Sequence, residues 1–115
     1  MSLSTRPISW LKPALRDFQS FPAAAQARML NALTAAAAGG KADIAKPLKG
    51  FGAGVVEIAL KHKGDAFRVV YALQLGSDLI VVHAFQKKSK RGIETPKAEL
   101  YVVRERLKRL KAGQS

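Results

Sequence analysis

Apolar and polar positions change their period partway along the chain. At 7–11 (PISWL), Ile8 and Trp10 share one side of a short stretch, which predicts a first strand. Pro13 stands where a helix would begin, and Leu11, Ala14, Leu15 and Phe18 follow at spacings of three and four. Pro22 opens a second helical run, in which Ala25, Met29, Leu33 and Ala37 form one stripe and Leu30 widens it. Gly39-Gly40 is a stop signal. The spacing predicts helices of about ten and about seventeen residues, joined at Phe21-Pro22 as a hairpin. The alanines at 35–38 fit close helix packing.

From Lys46 the period shortens. The segment KPLKGFGAG carries three glycines and a proline and predicts a loop. Strands are predicted at 55–61, 67–75 and 79–85, all rich in Val, Ile, Phe and Tyr. Short turns at Lys63-Gly64-Asp65 and Gly76-Ser77-Asp78 separate them, and turns of that length join antiparallel neighbours.

In the first of these strands Val56, Ile58 and Leu60 alternate with Val55, Glu57, Ala59 and Lys61. In the second, Phe67, Val69, Tyr71 and Leu73 alternate with Arg68, Val70, Ala72 and Gln74. One face is strongly apolar and is expected to meet the helices. The other carries Glu57 and Arg68 among small residues, and a polar pair on a face that no helix covers is a candidate site. Residues 86–95 (QKKSKRGIET) form a basic loop. Pro96 then begins a last helix with Leu100, Val103, Leu107 and Leu110 on one side, and Thr95 stands at its N-cap position. The pattern is α+β: an N-terminal helical hairpin packed on a small, mainly antiparallel sheet, with a C-terminal helix. A chain of 115 residues suits one domain spanning 1–115.

Charge adds what periodicity does not. Lysine and arginine outnumber acids by 20 to 8, a formal +12, and such an excess on a small body draws in polyanions, of which nucleic acid is the commonest. The bland alternative is charge kept for solubility. The absence of cysteine excludes disulfides, Cys-based zinc sites and thiol catalysis. No apolar run of signal-peptide or membrane-spanning length occurs, so a cytoplasmic location is expected.

The densest local feature is Lys87-Lys88-Ser89-Lys90-Arg91, four cations in five positions directly after an apolar strand. Lys87, Lys88, Lys90 and Arg91, with Lys61 on a neighbouring strand, are candidate phosphate contacts, and Arg68 supplies a fork for bidentate contact. Cleaving RNA requires that the 2′-hydroxyl lose a proton, that the phosphorane be stabilised and that the leaving 5′-oxygen gain a proton. Glu57 is the carboxylate placed near Arg68. It is a candidate general base or, alternatively, half of a cross-strand ion pair that fixes the sheet and orients the arginine. His83, inside LIVVHAF, is expected to be buried and hydrogen-bonded, and His62 exposed. Trp10, Phe18 and Tyr71 are expected in the core. Tyr101 has two readings, core or base stacking. The histidine spacing predicts no metal.

Three stretches, PLKGFGAGVVEI (47–58), FRVVY (67–71) and HAFQKKSKRGIETPKAEL (83–100), resemble the RelE/ParE toxin superfamily, and within it the HigB-like, phage-derived branch. With the preceding helical pair the resemblance covers nearly the whole chain. It implies a sheet with the helical hairpin on one face and a basic groove on the other. It further implies an mRNA endonuclease (mRNA interferase) of a type II toxin–antitoxin system that needs no cofactor and cuts in the ribosomal A site. The implied partners are the ribosome, mRNA and a cognate helix-turn-helix antitoxin. Arg68 matches the family's phosphate-contacting arginine, and Lys87 and Lys88 its cationic pair after the strand; Arg68, Lys88 and Glu57 are thus the candidate catalytic set. Glu57 and Ala59 fall where some relatives carry basic catalytic residues, so a lysine-driven proton transfer does not carry over to this strand. Two other readings stay open: a ParE-like inhibitor of DNA gyrase that cuts nothing, and an inactive phage-derived remnant.

Overall fold

The computed structural model describes residues 5–87 and 94–113. Lys88, Lys90 and Arg91, three of the candidate phosphate contacts, lie outside the described residues. The order of elements is β1 (Ile8–Trp10), α1 (Lys12–Gln19), α2 (Ala23–Ala37), β2 (Ala45–Pro47), β3 (Val55–His62), β4 (Asp65–Ala72), β5 (Leu79–Lys87) and α3 (Lys97–Ala112). The five strands make one mixed sheet in the order β1-β5-β4-β3-β2. β1 runs parallel to β5, and every other pairing is antiparallel. The architecture is α+β with a helical hairpin and a C-terminal helix, as the periodicity predicts.

Both hairpin helices begin beside a proline, which needs no N–H partner in a first turn. Trp10, Phe18, Phe21 and Phe67 form a chain of tilted aromatic contacts with centroids 4.8–5.6 Å apart. This chain joins the hairpin to the sheet. Ala25, Met29, Leu33 and Ala37 are buried, as their stripe requires, but Leu30 is exposed; Ala32 and Ala36 widen the buried face instead. Against them lie Val56, Ile58, Leu60, Val69 and Tyr71, the apolar face read from the alternation.

The β3–β4 connection is a two-residue turn. Lys63 and Gly64 both have positive φ (51° and 85°), the conformation of a type I′ turn, and the register closes on His62 opposite Asp65. The KPLKGFGAG segment is not all loop: Ala45–Pro47 pairs with β3 as the edge strand β2. β4 ends at Ala72 rather than 75, and β5 runs on to Lys87, so Gln86 and Lys87 belong to the sheet.

The second face of the sheet is not left open. α3 crosses it, and Val103 and Leu107 pack with Phe51, Val55, Val70, Ala72, Leu75 and Val82 in a second apolar cluster. The helix's apolar stripe needs a surface to bury, and Val55, Val70 and Ala72, between them, make that face apolar enough to provide one. Among the described residues, no helix is long and apolar enough to cross a membrane.

Candidate functional site

The strand register sets out the residues of the second face as a grid. Glu57 lies opposite Val70 and Lys46, Ala59 opposite Arg68, and Lys61 opposite Ala66. On the other side of β4, Val70 lies opposite His83, Arg68 opposite Phe85, and Ala66 opposite Lys87. Lys46, Glu57, Lys61, Arg68, His83 and Lys87 therefore share one face. A register shift between Val70 and Tyr71 gives β5 one extra residue near Val82. Ahead of it Val81 belongs to the first face, and beyond it His83, Phe85 and Lys87 belong to the second. A bulge reverses the alternation in this way because side chains on a strand repeat every two residues.

Glu57 and Arg68 form the expected ion pair, on the diagonal of the grid. Arg68 Nη1 donates to Glu57 Oε1 at 3.0 Å, with the two side chains 8% and 12% exposed. Thr95 completes a triangle. Its hydroxyl lies 2.7 Å from Glu57 Oε2 and 3.0 Å from Oε1, and it accepts a long 3.4 Å contact from Arg68. Thr95 therefore does not cap α3 with its side chain. The N-cap residue is Pro96, with no side-chain cap bond, and the Thr95 hydroxyl is used on Glu57 instead. An ionised carboxylate is the stronger acceptor, which accounts for that preference. Lys87 ends β5 and is only 7% exposed, whereas Lys61 is exposed.

His83 is buried and doubly bonded, as its apolar context implies. Arg106 Nη1 donates to Nδ1 at 3.2 Å and to the Val82 carbonyl at 2.9 Å. With Nδ1 accepting, Nε2 carries the proton and donates to Glu99 Oε1 at 2.7 Å. Phe85 stacks on the ring at 5.0 Å. Burial holds the imidazole below its ordinary pKa, and the charge of Arg106 adds to this against the opposing pull of Glu99. Neutral His83 thus links two charged side chains of α3 to β5. Burial likewise raises the pKa of the Tyr71 hydroxyl in the core. Tyr101 is 64% exposed and belongs to no core.

Beside His83 lies a cleft of about 530 Å³, with Asp17, Asp65 and Glu99 on its walls and Phe21, Phe67 and Phe85 among its aromatic lining. Three carboxylates make it unfavourable for phosphate. Cations for an anion are offered by the grid around Arg68. Among the described residues, no group of three or more His, Cys, Asp or Glu is arranged to hold a metal ion.

Sequence reasoning missed Lys46, Thr95, Glu99 and Arg106 as members of this constellation. Lys46 was hidden by the loop-like glycines after it. Thr95, Glu99 and Arg106 depend on where α3 docks, which no local pattern reports.

The family model described as Phage derived protein Gp49-like (DUF891) matches residues 16–108. The chain belongs to this family. The Gp49-like family is of the RelE/HigB toxin type, which agrees with the resemblance carried by the strands and the basic segment. Its matched span contains Glu57, Lys61, Arg68, Lys87 and Thr95. No curated protein matches the chain.

Proposed function

We propose that this protein is the toxin of a type II toxin–antitoxin pair and acts as a ribosome-dependent mRNA endonuclease, cleaving by attack of a 2′-hydroxyl on the adjacent phosphate. The observation that carries this reading is the alignment of Lys61, Arg68 and Lys87 on one sheet face of a chain with formal charge +12. Membership of a toxin-type family supports it. In this reading Arg68 holds the phosphate and stabilises the phosphorane, with Glu57 and Thr95 fixing its direction. Exposed Lys61, with Lys88, Lys90 and Arg91, tracks the backbone, the nearly buried Lys87 adds its charge to the face, and Lys88 gives a proton to the leaving 5′-oxygen. Both oxygens of Glu57 are engaged, so Glu57 acts first as the orienting partner. It accepts the 2′-hydroxyl proton only if substrate draws Arg68 away from it. A helix-turn-helix antitoxin would silence such a protein by laying an acidic segment over the cations.

The test is to add the protein to a translating mixture and map mRNA 5′ ends by primer extension. New ends inside A-site codons are expected, lost in Arg68→Ala protein that retains its helical circular dichroism. Intact mRNA under conditions where the protein halts growth would refute the nuclease reading.

A further inference from the structure

The second half of α3 carries a feature that the Arg68 face does not use. Arg104, Lys108 and Lys111 follow one another at i, i+4 and i+7, which places them in one stripe. Their spacing along the axis is about 6 Å and then about 4.5 Å. They wall a groove of about 340 Å³ whose opposite side is the glycine-rich turn, Gly50, Phe51 and Gly52. The groove lies farther along α3 than Thr95: on the helix axis Arg104 is about 10 Å and Lys111 about 21 Å from Lys97.

The turn is shaped for an anion as well. Gly50, Gly52 and Gly54 all have φ between 84° and 88°, and at Gly50 a Cβ would meet nothing within 4 Å. The segment is closed at its base, where the Leu48 N–H donates to the Val55 carbonyl at 2.9 Å. Turns of this kind present amides in concave sets that suit phosphate oxygens. Phe51, the aromatic residue of the groove's lining, is buried and its ring is covered by the Arg104 guanidinium at 4.6 Å, so it offers no open face to a nucleobase. The groove is thus equipped for backbone contact without base contact, which positions a nucleic acid without reading its sequence. Lys108 has one acidic neighbour, Glu105 at 3.4 Å, but remains 70% exposed, and a surface pair of that length holds it only weakly.

We propose that the groove between the 50–54 turn and the Arg104–Lys108–Lys111 stripe is a second phosphate-binding surface, which holds the backbone of structured RNA apart from the Arg68 face. The proposal rests on the reading of the protein as RNA-directed. It gives the chain two separate grips, one for the strand to be cut and one for a folded RNA that fixes the protein's position.

The experiment uses the full chain and a fluorescein-labelled RNA hairpin with a perfect duplex stem, with anisotropy measured from 50 to 200 mM salt. Wild type, Lys108→Ala/Lys111→Ala, Lys108→Arg/Lys111→Arg and Arg68→Ala are compared after their circular dichroism is matched. Losing two phosphate contacts flattens the slope of log K against log salt by about two units. The double alanine variant then weakens binding about tenfold more at 50 mM than at 200 mM salt, while the double arginine variant binds as wild type. An unchanged slope in the double alanine variant, with weakening only in Arg68→Ala, would overturn the second grip and leave the nuclease reading standing. So would capture of the protein by phosphatidylserine vesicles with no affinity for the hairpin, which would assign the stripe to lipid. Wild type that binds neither overturns the proposal, and the mapped mRNA ends decide the nuclease reading independently.

Discussion

Removing Arg68 or Glu57 singly should cost more stability than removing both would suggest. The pair is nearly enclosed, with side chains 8% and 12% exposed, and its N–O distance is 3.0 Å. Deleting one partner of such a pair strands the other charge at a cost of about 3 kcal/mol, the lower end of the usual range because Thr95 remains as a hydrogen-bond partner. Arg68→Ala and Glu57→Ala should therefore each lower Tm by about 12 °C, at about 4 °C per kcal/mol for a chain of this length. Deleting both leaves no stranded charge, so Glu57→Ala/Arg68→Ala should cost no more than either single variant, about 3 kcal/mol at most, rather than the roughly 6 that additivity requires. Urea unfolding of the four proteins gives the coupling directly. A double variant that is additive within about 0.5 kcal/mol would refute the argument that the two charges stabilise one another. The cycle also bears on function. Toxicity lost in Arg68→Ala is informative only where the variant is folded at the assay temperature, and the double variant supplies a second background in which Arg68 is absent.

Thr95→Val should cost about 1.5–3 kcal/mol, because a hydrogen bond to an ionised carboxylate is lost, while Thr95→Ser should keep most of it; chemical denaturation of both checks this. Leu33→Ala should cost about 2–5 kcal/mol and Leu30→Ala under about 0.5, since Leu33 is buried and Leu30 exposed; comparable losses would contradict the placement of α2. Lys63→Asn should stabilise by a few tenths of a kcal/mol to about 1, because asparagine tolerates the positive φ of the type I′ turn. His83 has its pKa held below the ordinary 6.5 in the fold. Its neutral form contributes stability that is present above pH 6.5 and is lost as pH falls from there through the folded pKa, where the unfolded chain binds the proton first. Tm of the wild type relative to His83→Gln should thus decline between pH 7 and pH 5, and a constant difference would show that His83 does not titrate differently on folding.

Much of this protein is determined locally, by patterns that a few residues carry. The alternation in 55–61 and 67–75 set Glu57 and Arg68 on one face, because strand side chains repeat every two residues whatever the rest of the chain does. The stripe Ala25, Met29, Leu33, Ala37 and the prolines at the start of each helix marked the hairpin in the same way. Continuous apolar sequence cannot encode a bulge: LIVVHAF looks the same with or without the extra residue near Val82, and only pairing with β4 moves His83, Phe85 and Lys87 onto the Arg68 face. The docking of α3 was equally invisible. Its stripe shows that something must cover it, but the partner surface is chosen by the shape of the sheet, and that choice brings Thr95 to Glu57 and Glu99 and Arg106 to His83. Periodicity decides which side a residue faces, and tertiary packing decides what meets it there.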